Sequence, residues 1–261
     1  MTVREPKLVA RPDAPLRFEY LLKVSSRSAP GAEEAALVDE AYVPVVGEGD
    51  LPLLAQLGTE AFGDQGPRRY GMTRLSFYRA LYESFGGSFR FVLDPMRMQT
   101  PLAIDSDALI GFTCVLPISS RTTDRYLRGE LSQFELTADD VRPGGTEIDL
   151  WNQAIYLRQR SADWFAMLLH SLACSMADAT ANDLAAVRRA PRLIAEGTSP
   201  HGRQFLTSFG LDEAGPSKDT CPIFIADDRE GRSLGQISNR QVLTSLARRY
   251  ARRNVDRAGD M

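Results

Sequence analysis

The chain has 261 residues, of which 43% are hydrophobic and 25% are charged, and its formal net charge at pH 7 is -3. This composition is typical of a globular protein, and it excludes a mainly disordered chain or one that coats nucleic acid over its whole surface. Three widely separated cysteines and two histidines argue against a zinc site or a disulfide framework, so no metal is expected.

Residues 1–41 are predicted to form an N-terminal extension with an added strand. Charges run through Met1–Tyr20 without an apolar stretch, so no signal peptide is predicted. The longest apolar runs in the chain are too short to cross a bilayer. We therefore expect a cytoplasmic protein without a membrane span. A strand is predicted at Leu16–Val24 and a short helix at Ala32–Glu40.

The rest of the chain alternates between strand and helix patterns. Apolar residues at helical spacing predict helices at 50–63, 73–85, 123–128, 162–181, 200–209 and 239–254. Alternating or short continuous apolar runs predict strands at 42–46, 88–94, 108–118, 146–156, 192–195 and 221–226. This order predicts a mixed α/β fold with a central sheet flanked by helices.

Three phrases in this order resemble the GNAT superfamily, the GCN5-related N-acetyltransferases. Val43–Leu54, which leads into a helix, is similar to the opening strand and helix of that family. Leu109–Thr113 is similar to its hairpin strand, and Ala195–Leu211 is similar to its closing segment. The resemblance implies a mainly antiparallel sheet and a GNAT-like domain over residues 42–226, followed by a basic C-terminal helix within 227–261.

Members of this family bind an acyl-CoA as the acyl donor. Its pyrophosphate lies on a turn of small residues at a helix N-terminus, where backbone N–H groups attract anions. The resemblance assigns Arg158, Arg160, Ser161, Ala162 and Asp163 to that turn. Ser161 and Asp163 replace small residues of the family pattern, and the charge of Asp163 opposes a phosphate. The cradle is therefore degenerate in this chain.

The preceding strand would align the donor through its main chain. The resemblance assigns this role to Gln153, Ile155 and Tyr156, and it implies acetyl-CoA or another acyl-CoA as donor. Ser199 stands where the family often has a donor-binding Asn. Leu206 stands where the family often has a Tyr that protonates the leaving thiolate.

Three residues are candidates for proton transfer. Glu147 and Asp149 lie two residues apart on a predicted strand, so their carboxylates share a face and raise each other's pKa, which suits a base. The resemblance implies that an acidic residue near this position takes a proton from the amine. The competing interpretation is that they face solvent or pair with arginines of segment 119–143. His201 lies beside the closing segment and is the histidine better placed for acid–base work.

The resemblance implies an acyltransferase that moves an acyl group from an acyl-CoA or carrier thioester to an amine. The acceptor would be a small molecule or a peptide, and the chain could form a homodimer. The alternative is a non-catalytic GNAT-like binding or regulatory module that has lost donor binding. The C-terminal helix is rich in arginine, which favours either docking on an acidic partner or a solvated terminal helix.

Overall fold

A computed structural model describes residues 42–94, 97, 104, 107–141, 148–158, 162–180, 192–227 and 237–259. Within the last two long helices, the side chains of 162–166, 237–242, 244, 245 and 257–259 are not described. The predicted strand at 16–24, the predicted helix at 32–40 and the site candidates Glu147, Arg160 and Ser161 lie outside the described residues.

The described chain contains the following helices: α1 Leu51–Phe62, α2 Gln65–Arg69, α3 Arg74–Ser84, α4 Ser120–Leu127, α5 Ala162–Ala179, α6 Pro200–Ser208 and α7 Ile237–Gly259. Its strands are β1 Phe89–Leu93, β2 Leu109–Ser119, β3 Ile148–Leu157, β4 Leu193–Glu196, β5 Asp212–Pro216 and β6 Pro222–Ala226. Single 3-10 turns lie at Glu48–Asp50, Gly86–Ser88 and Gln133–Glu135.

The six strands form one sheet in the order β1-β2-β3-β4-β6-β5. The β3–β4 pair is parallel, and the other neighbours are antiparallel. The parallel pair is possible because the connection from β3 to β4 contains α5, which returns the chain to the opposite end of the sheet before β4 begins. The predicted mixed α/β class, with a mainly antiparallel central sheet flanked by helices, is confirmed.

Each face of the sheet is covered by its own group of helices. One core cluster joins α5, α6 and α7 to the sheet, with buried side chains such as Leu172, Leu206 and Leu246. The second cluster joins α1, α3 and α4 to the opposite face and includes Tyr78 and Trp151. The two faces therefore present separate surroundings to any site that opens between two strands.

Local sequence explains where the helices begin. The hydroxyl of Thr73 accepts a hydrogen bond from the backbone of Ser76 (3.0 Å), and the Ser76 hydroxyl accepts one from the backbone of Thr73 (2.9 Å). This reciprocal cap satisfies two backbone donors at the start of α3. Ser199 caps α6 in the simpler way, since its hydroxyl accepts from the backbone of Gly202 at 3.0 Å.

Three elements differ from the sequence prediction, and one of them is the short helix α2, which the apolar spacing did not indicate. The predicted strand at 42–46 contributes a single antiparallel bridge, between Val45 and Arg90. The edge strand β5 was not predicted, because its sequence, Asp-Glu-Ala-Gly-Pro, is mostly exposed and lacks the apolar alternation of a half-buried strand. It forms through backbone pairing with the apolar strand β6.

The C-terminal helix packs on α5 through an apolar stripe that includes Leu243, Leu246 and Tyr250. The Tyr250 hydroxyl lies 2.8 Å from Nδ1 of the buried His170, which joins the two helices by a hydrogen bond. No helix in the described part of the chain is long and apolar enough to cross a membrane. Docking of α7 on an acidic partner stays a prediction.

Candidate active site where two parallel strands diverge

The parallel strands β3 and β4 pair over three residues and then separate. Their last pair is Asn152 with Ala195. Beyond it, β3 continues to Leu157 beside β2, while the backbone N–H of Gly197 donates to the carbonyl of Pro222 on the far side, at 2.9 Å. From Gln153 onward, the edge of β3 that faces β4 has no strand partner among the described residues.

A β-bulge lies at the same point. Cys114 of β2 pairs with Ala154 and the next residue, Val115, pairs with Asn152, so Gln153 is the extra residue of β3. Bulges bend a strand and increase its local twist, and they are frequent beside functional sites. The bulge therefore explains locally why β3 turns away from β4 immediately after Asn152.

A hydrogen-bonded group of polar side chains, the Glu196 cluster, lies on the α4 face of this opening. It comprises Glu196, Tyr126, Gln133 and Gln153. The Tyr126 hydroxyl donates to Oε1 of Glu196, and Nε2 of Gln133 donates to Oε2 at 3.0 Å. Gln153 extends the chain, because its Nε2 donates to Oε1 of Gln133 at 2.8 Å. The cluster thus links the bulge of β3 to the last residue of β4.

The surroundings of Glu196 favour its protonated form more than water does. Burial raises the pKa of this carboxyl, and the negative charge of Asp219 raises it further. Hydrogen bonds from Tyr126 and Ser217 act in the opposite direction. Burial also raises the pKa of Tyr126 well above its usual value, so its hydroxyl stays protonated and remains a donor. A carboxylate with a raised pKa is suited to accepting a proton from a bound amine.

The loop between β5 and β6 fixes the rim of the cluster. Asp219 accepts hydrogen bonds from the hydroxyls of Tyr70 (2.8 Å) and Ser132. Lys218 forms an ion pair with Glu135 at 2.6 Å. These contacts hold the loop against the segment that carries Gln133. The acidic side chains of the rim are therefore positioned before any ligand binds.

A small cavity of about 20 Å³ lies between the sheet and the helices α5, α6 and α7. It is lined by side chains of β2, β3, β4, α5, α6 and α7 and by Phe209 and Leu211, and Asn152 is the one polar residue among them. Leu206 of α6 is among them, so the position expected for a proton-donating Tyr carries a buried aliphatic side chain.

Asp149, predicted to act as a base, lies in a buried ion pair with Arg192. Its Oδ2 accepts from Nε (3.0 Å) and Nη2 (2.7 Å) of Arg192, and its Oδ1 accepts from the backbone of Arg192 (3.2 Å). Arg192 also pairs with Asp124 of α4 at 2.6 Å. The carboxylate of Asp149 is thus fully engaged in joining β3 to the start of β4. Its catalytic role stays a prediction.

His201 and Ser199 lie at the start of α6. His201 is exposed, and the Ser199 hydroxyl is used as the helix cap described above. Neither belongs to the Glu196 cluster. Their roles in acid–base chemistry and donor binding stay predictions.

The end of β3 brings together two of the predicted donor-binding residues. The hydroxyl of Tyr156 donates to Oε1 of Glu60 at 2.5 Å, and Nη2 of Arg158 lies 3.2 Å from Oε2 of the same carboxylate. Arg158 also donates to the carbonyl of Leu109 at 3.1 Å. These contacts join α1 to the part of β3 that no longer pairs with β4. Burial and Glu60 raise the pKa of Tyr156 to about 12.

The remaining predicted donor-binding residues are placed only in part. Ile155 is half-buried on the α5 face of β3. Ala162 and Asp163 form the first turn of α5, where their side chains are not described. Pyrophosphate binding at this turn stays a prediction. Among the described residues, no group of three or more His, Cys, Asp or Glu is arranged to hold a metal ion.

Sequence reasoning missed the Glu196 cluster. Tyr126 and Glu196 are 70 residues apart, and Gln133 and Glu196 are 63 apart, so no local pattern relates them. The one available signal was a charged residue that ends the apolar run Leu-Ile-Ala-Glu inside the closing segment of the resemblance. Such a residue at the carboxyl end of a parallel strand is a common position for function.

Comparison with known proteins gives little beyond this geometry. No family model matches the chain, and no curated protein matches it with significance. One similar solved structure is described as histone acetyltransferase HPA2 and related acetyltransferase from Corynebacterium glutamicum. It is 17% identical in sequence to this chain. The match covers 70% of this chain and 93% of the other chain, with a TM-score of 0.36. A likeness at this TM-score carries no argument, so the interpretation of the site depends on its own geometry.

Proposed function

We propose that this chain is an N-acyltransferase that moves an acyl group from an acyl-CoA, or a carrier thioester, to an amine. One observation carries the proposal: β3 and β4 separate after the Asn152–Ala195 pair, and the partly buried carboxylate of Glu196 lies at the point of separation. An opening between two parallel strands, with a proton acceptor at its edge, suits a reaction between two molecules that enter from opposite faces.

The free edge of β3 is the proposed contact for the donor's extended arm. Backbone N–H and C=O groups of Gln153–Leu157 that point away from β2 have no strand partner among the described residues. Unpaired backbone groups of a strand edge bind an extended chain that carries amides, as an added strand does. The pantetheine arm of a donor carries such amides. The donor supplies a thioester, whose acyl carbon is activated toward attack by an amine.

Glu196 is the proposed proton acceptor. As the amine nitrogen forms a bond to the acyl carbon, the bond from that carbon to sulfur breaks. The proton lost by the amine moves to the Glu196 carboxylate and then to water, and the leaving thiolate takes a proton from water. The hydrogen bonds from Tyr126 and Gln133 hold the carboxylate in one orientation while this occurs.

The chemistry does not require a side-chain acid at Leu206. A thiol has a pKa of about 8.5, so a thiolate is a tolerable leaving group near neutral pH. Solvent protonation is then sufficient. The aliphatic side chain of Leu206 is consistent with the proposed transfer.

The experiment combines calorimetry with a transfer assay. Acetyl-CoA is titrated into the chain, and formation of free thiol is followed with a panel of primary amines. We expect measurable binding by the unaltered chain and by Glu196→Gln, with transfer lost only in the variant. Glu213→Gln is the matched control, because Glu213 is exposed on the edge strand β5. Absence of donor binding by the unaltered chain would refute the proposal.

Two observations favour the alternative, a GNAT-like module without catalysis. Leu206 cannot donate a proton, and Arg158, the predicted phosphate ligand, pairs with Glu60. The alternative predicts no transfer to any amine and no binding of acetyl-CoA or longer acyl-CoAs. The same titration therefore separates the two proposals.

A further inference from the structure

The carbonyl oxygen of Gly197 is bonded by an arginine instead of by the neighbouring strand. The register of β4 and β6 places Gly197 opposite Pro222, and the backbone N–H of Gly197 donates to the Pro222 carbonyl at 2.9 Å. In a regular antiparallel ladder the opposite residue returns a hydrogen bond, but proline has no backbone N–H. Nε of Arg203 takes the place of that donor and lies 3.0 Å from the Gly197 carbonyl. The guanidinium of Arg203 is therefore held at the end of β4, one residue beyond Glu196.

Gly197 is the residue type that this arrangement requires. A Cβ atom at this position would lie 2.7 Å from Cγ of Arg203 and 2.6 Å from the ring of Phe224. Arg203 itself is exposed, and its Nη1 and Nη2 atoms have no hydrogen-bond or ion-pair partner among the described residues. Two guanidinium nitrogens side by side can bind both oxygens of one carboxylate. Arg203 thus presents a pre-positioned fork for a planar anion.

A second arginine without an ion-pair partner lies near the same end of the sheet. Arg69 is exposed at the end of α2, and no hydrogen bond or ion pair engages it within the described part of the chain. The next residue, Tyr70, donates its hydroxyl to Asp219 of the β5–β6 loop at 2.8 Å. This contact brings the end of α2 to the rim of the Glu196 cluster.

The partly buried thiol of Cys221 lies near all of these charges. Burial raises its pKa, the negative charges of Glu196 and Asp219 raise it further, and the positive charges of Arg203 and Arg69 lower it. Two carboxylates and two guanidinium groups are therefore gathered around one point at the end of the sheet. The arrangement offers both signs of charge to one small molecule.

We propose that the acyl acceptor is an amino acid, with its amine at Glu196 and its carboxylate on the outer guanidinium nitrogens of Arg203. Arg69 adds a second positive charge beside that carboxylate. The inference rests on the proposed acyl transfer and adds the class of acceptor. A zwitterion satisfies both signs of charge, whereas a simple amine leaves both guanidinium groups without an anion.

The test measures acceptor binding by calorimetry, with no acyl donor present. The ligands are the common α-amino acids and the straight-chain amino acids from β-alanine to 6-aminohexanoate. Each is compared with the amine that lacks its carboxylate. We expect the tightest-binding amino acid to exceed its amine at least tenfold in affinity, because a carboxylate on an arginine fork forms a charge-assisted bidentate pair. Binding of no amino acid, or equal affinity within every pair, overturns the inference.

Variants assign the preference to the arginines. Arg203→Gln is expected to weaken binding of the preferred amino acid tenfold or more and to change the affinity for its amine less than threefold. Arg203→Lys keeps the charge but loses the fork, so it should lose most of the same preference. Arg69→Gln should have a smaller effect, because it removes charge alone. Arg68→Gln is the matched control, since Arg68 is an exposed arginine of α2 that pairs with Asp64. Full preference in Arg203→Gln overturns the assignment.

A transfer assay with acetyl-CoA separates this inference from the function on which it rests. Arg203→Gln should raise KM for the amino acid with little change in kcat, because the carboxylate is held equally in the ground state and the transition state. Transfer that proceeds equally well to amino acids and to their amines overturns the acceptor class alone. Amino acid binding that depends on Arg203, without transfer to any amine, overturns the acyl-transfer proposal and leaves the carboxylate site in place.

Discussion

Tyr126 donates its hydroxyl to the carboxylate of Glu196 and so connects α4 to the last residue of β4, 70 residues further along the chain. Both groups lie where β3 and β4 separate, and Nε2 of Gln133 donates a second hydrogen bond to the Glu196 carboxylate at 3.0 Å. The proton acceptor of the proposed reaction is therefore oriented by groups on separate elements. Such support from outside the reacting groups is what fixes the geometry of a catalytic side chain.

The contribution of Tyr126 can be measured from the pH dependence of transfer. Its hydrogen bond stabilises the charged form of Glu196 and lowers the pKa of that carboxyl. Because the base must be deprotonated, the rate of the unaltered chain should rise with pH through the raised pKa of Glu196. Tyr126→Phe removes the bond and should move this rise to higher pH. The pH profile of kcat/KM measures this shift. Tyr82→Phe is the control, because Tyr82 is a partly buried tyrosine of α3 outside the Glu196 cluster. An unshifted rise in Tyr126→Phe would contradict the assigned role.

The buried ion pair between Asp149 and Arg192 is expected to act on stability. Removing one partner leaves a buried charge uncompensated, which costs about 3–5 kcal/mol. Arg192→Met should therefore lower the midpoint of urea unfolding strongly, because the side chains of Arg192 and Asp149 are only 6% and 3% exposed. Arg128→Met, which breaks the exposed pair with Glu130, should change it little. Equal effects of both variants would show that the buried pair is not structural.

Asp149→Asn separates the structural role of Asp149 from the catalytic role that the sequence suggested. We expect the variant to lose stability while the folded fraction keeps most of its transfer rate, since the proposed acceptor is Glu196. The measurement is kcat normalised to the folded fraction. A loss as large as that of Glu196→Gln would return the catalytic role to Asp149.

His170 makes stability depend on acidity. Burial, and secondarily the charge of Arg249, lowers the pKa of His170 to about 3, whereas the pKa of an unfolded histidine is about 6.5. Between these values the unfolded chain binds a proton that the folded chain does not. The contribution of neutral His170 is thus complete above about pH 6.5 and declines below it, by up to about 1.4 kcal/mol per pH unit.

The corresponding variant is His170→Gln, which should reduce the dependence of unfolding free energy on pH between about 4 and 6.5. His201→Gln provides the control because His201 is exposed. Urea unfolding at several pH values measures both. Identical slopes in His170→Gln and the unaltered chain would exclude His170 as the source.

Most of the scaffold was readable from residue spacing. The apolar stripe of α5 and the continuous apolar run of β2 indicate their elements directly, since burial on one side imposes the period. The edge strand β5 was not readable, because it forms only by pairing with β6 and carries no apolar pattern of its own. Tertiary context decides such strands.

The site was less readable than the scaffold. Spacing on a strand identified Asp149 as a carboxylate beside the expected opening, but it gave no indication of the partner Arg192, 43 residues later. Glu196 lies inside the closing segment of the resemblance, where no local pattern distinguishes it. The hydrogen bonds that orient the Glu196 carboxylate come from Tyr126 and Gln133, which lie on distant segments of the chain. The cluster can therefore be recognised only in the folded structure.

The central claim is that an acyl donor lies along the free edge of β3, and hydrogen–deuterium exchange tests it most directly. Addition of saturating acetyl-CoA should slow exchange of the backbone N–H groups within Gln153–Leu157 that point away from β2, because an added chain occupies that edge. The amides of β1 should keep their rates. Unchanged exchange across Gln153–Leu157 at saturating donor would contradict the account.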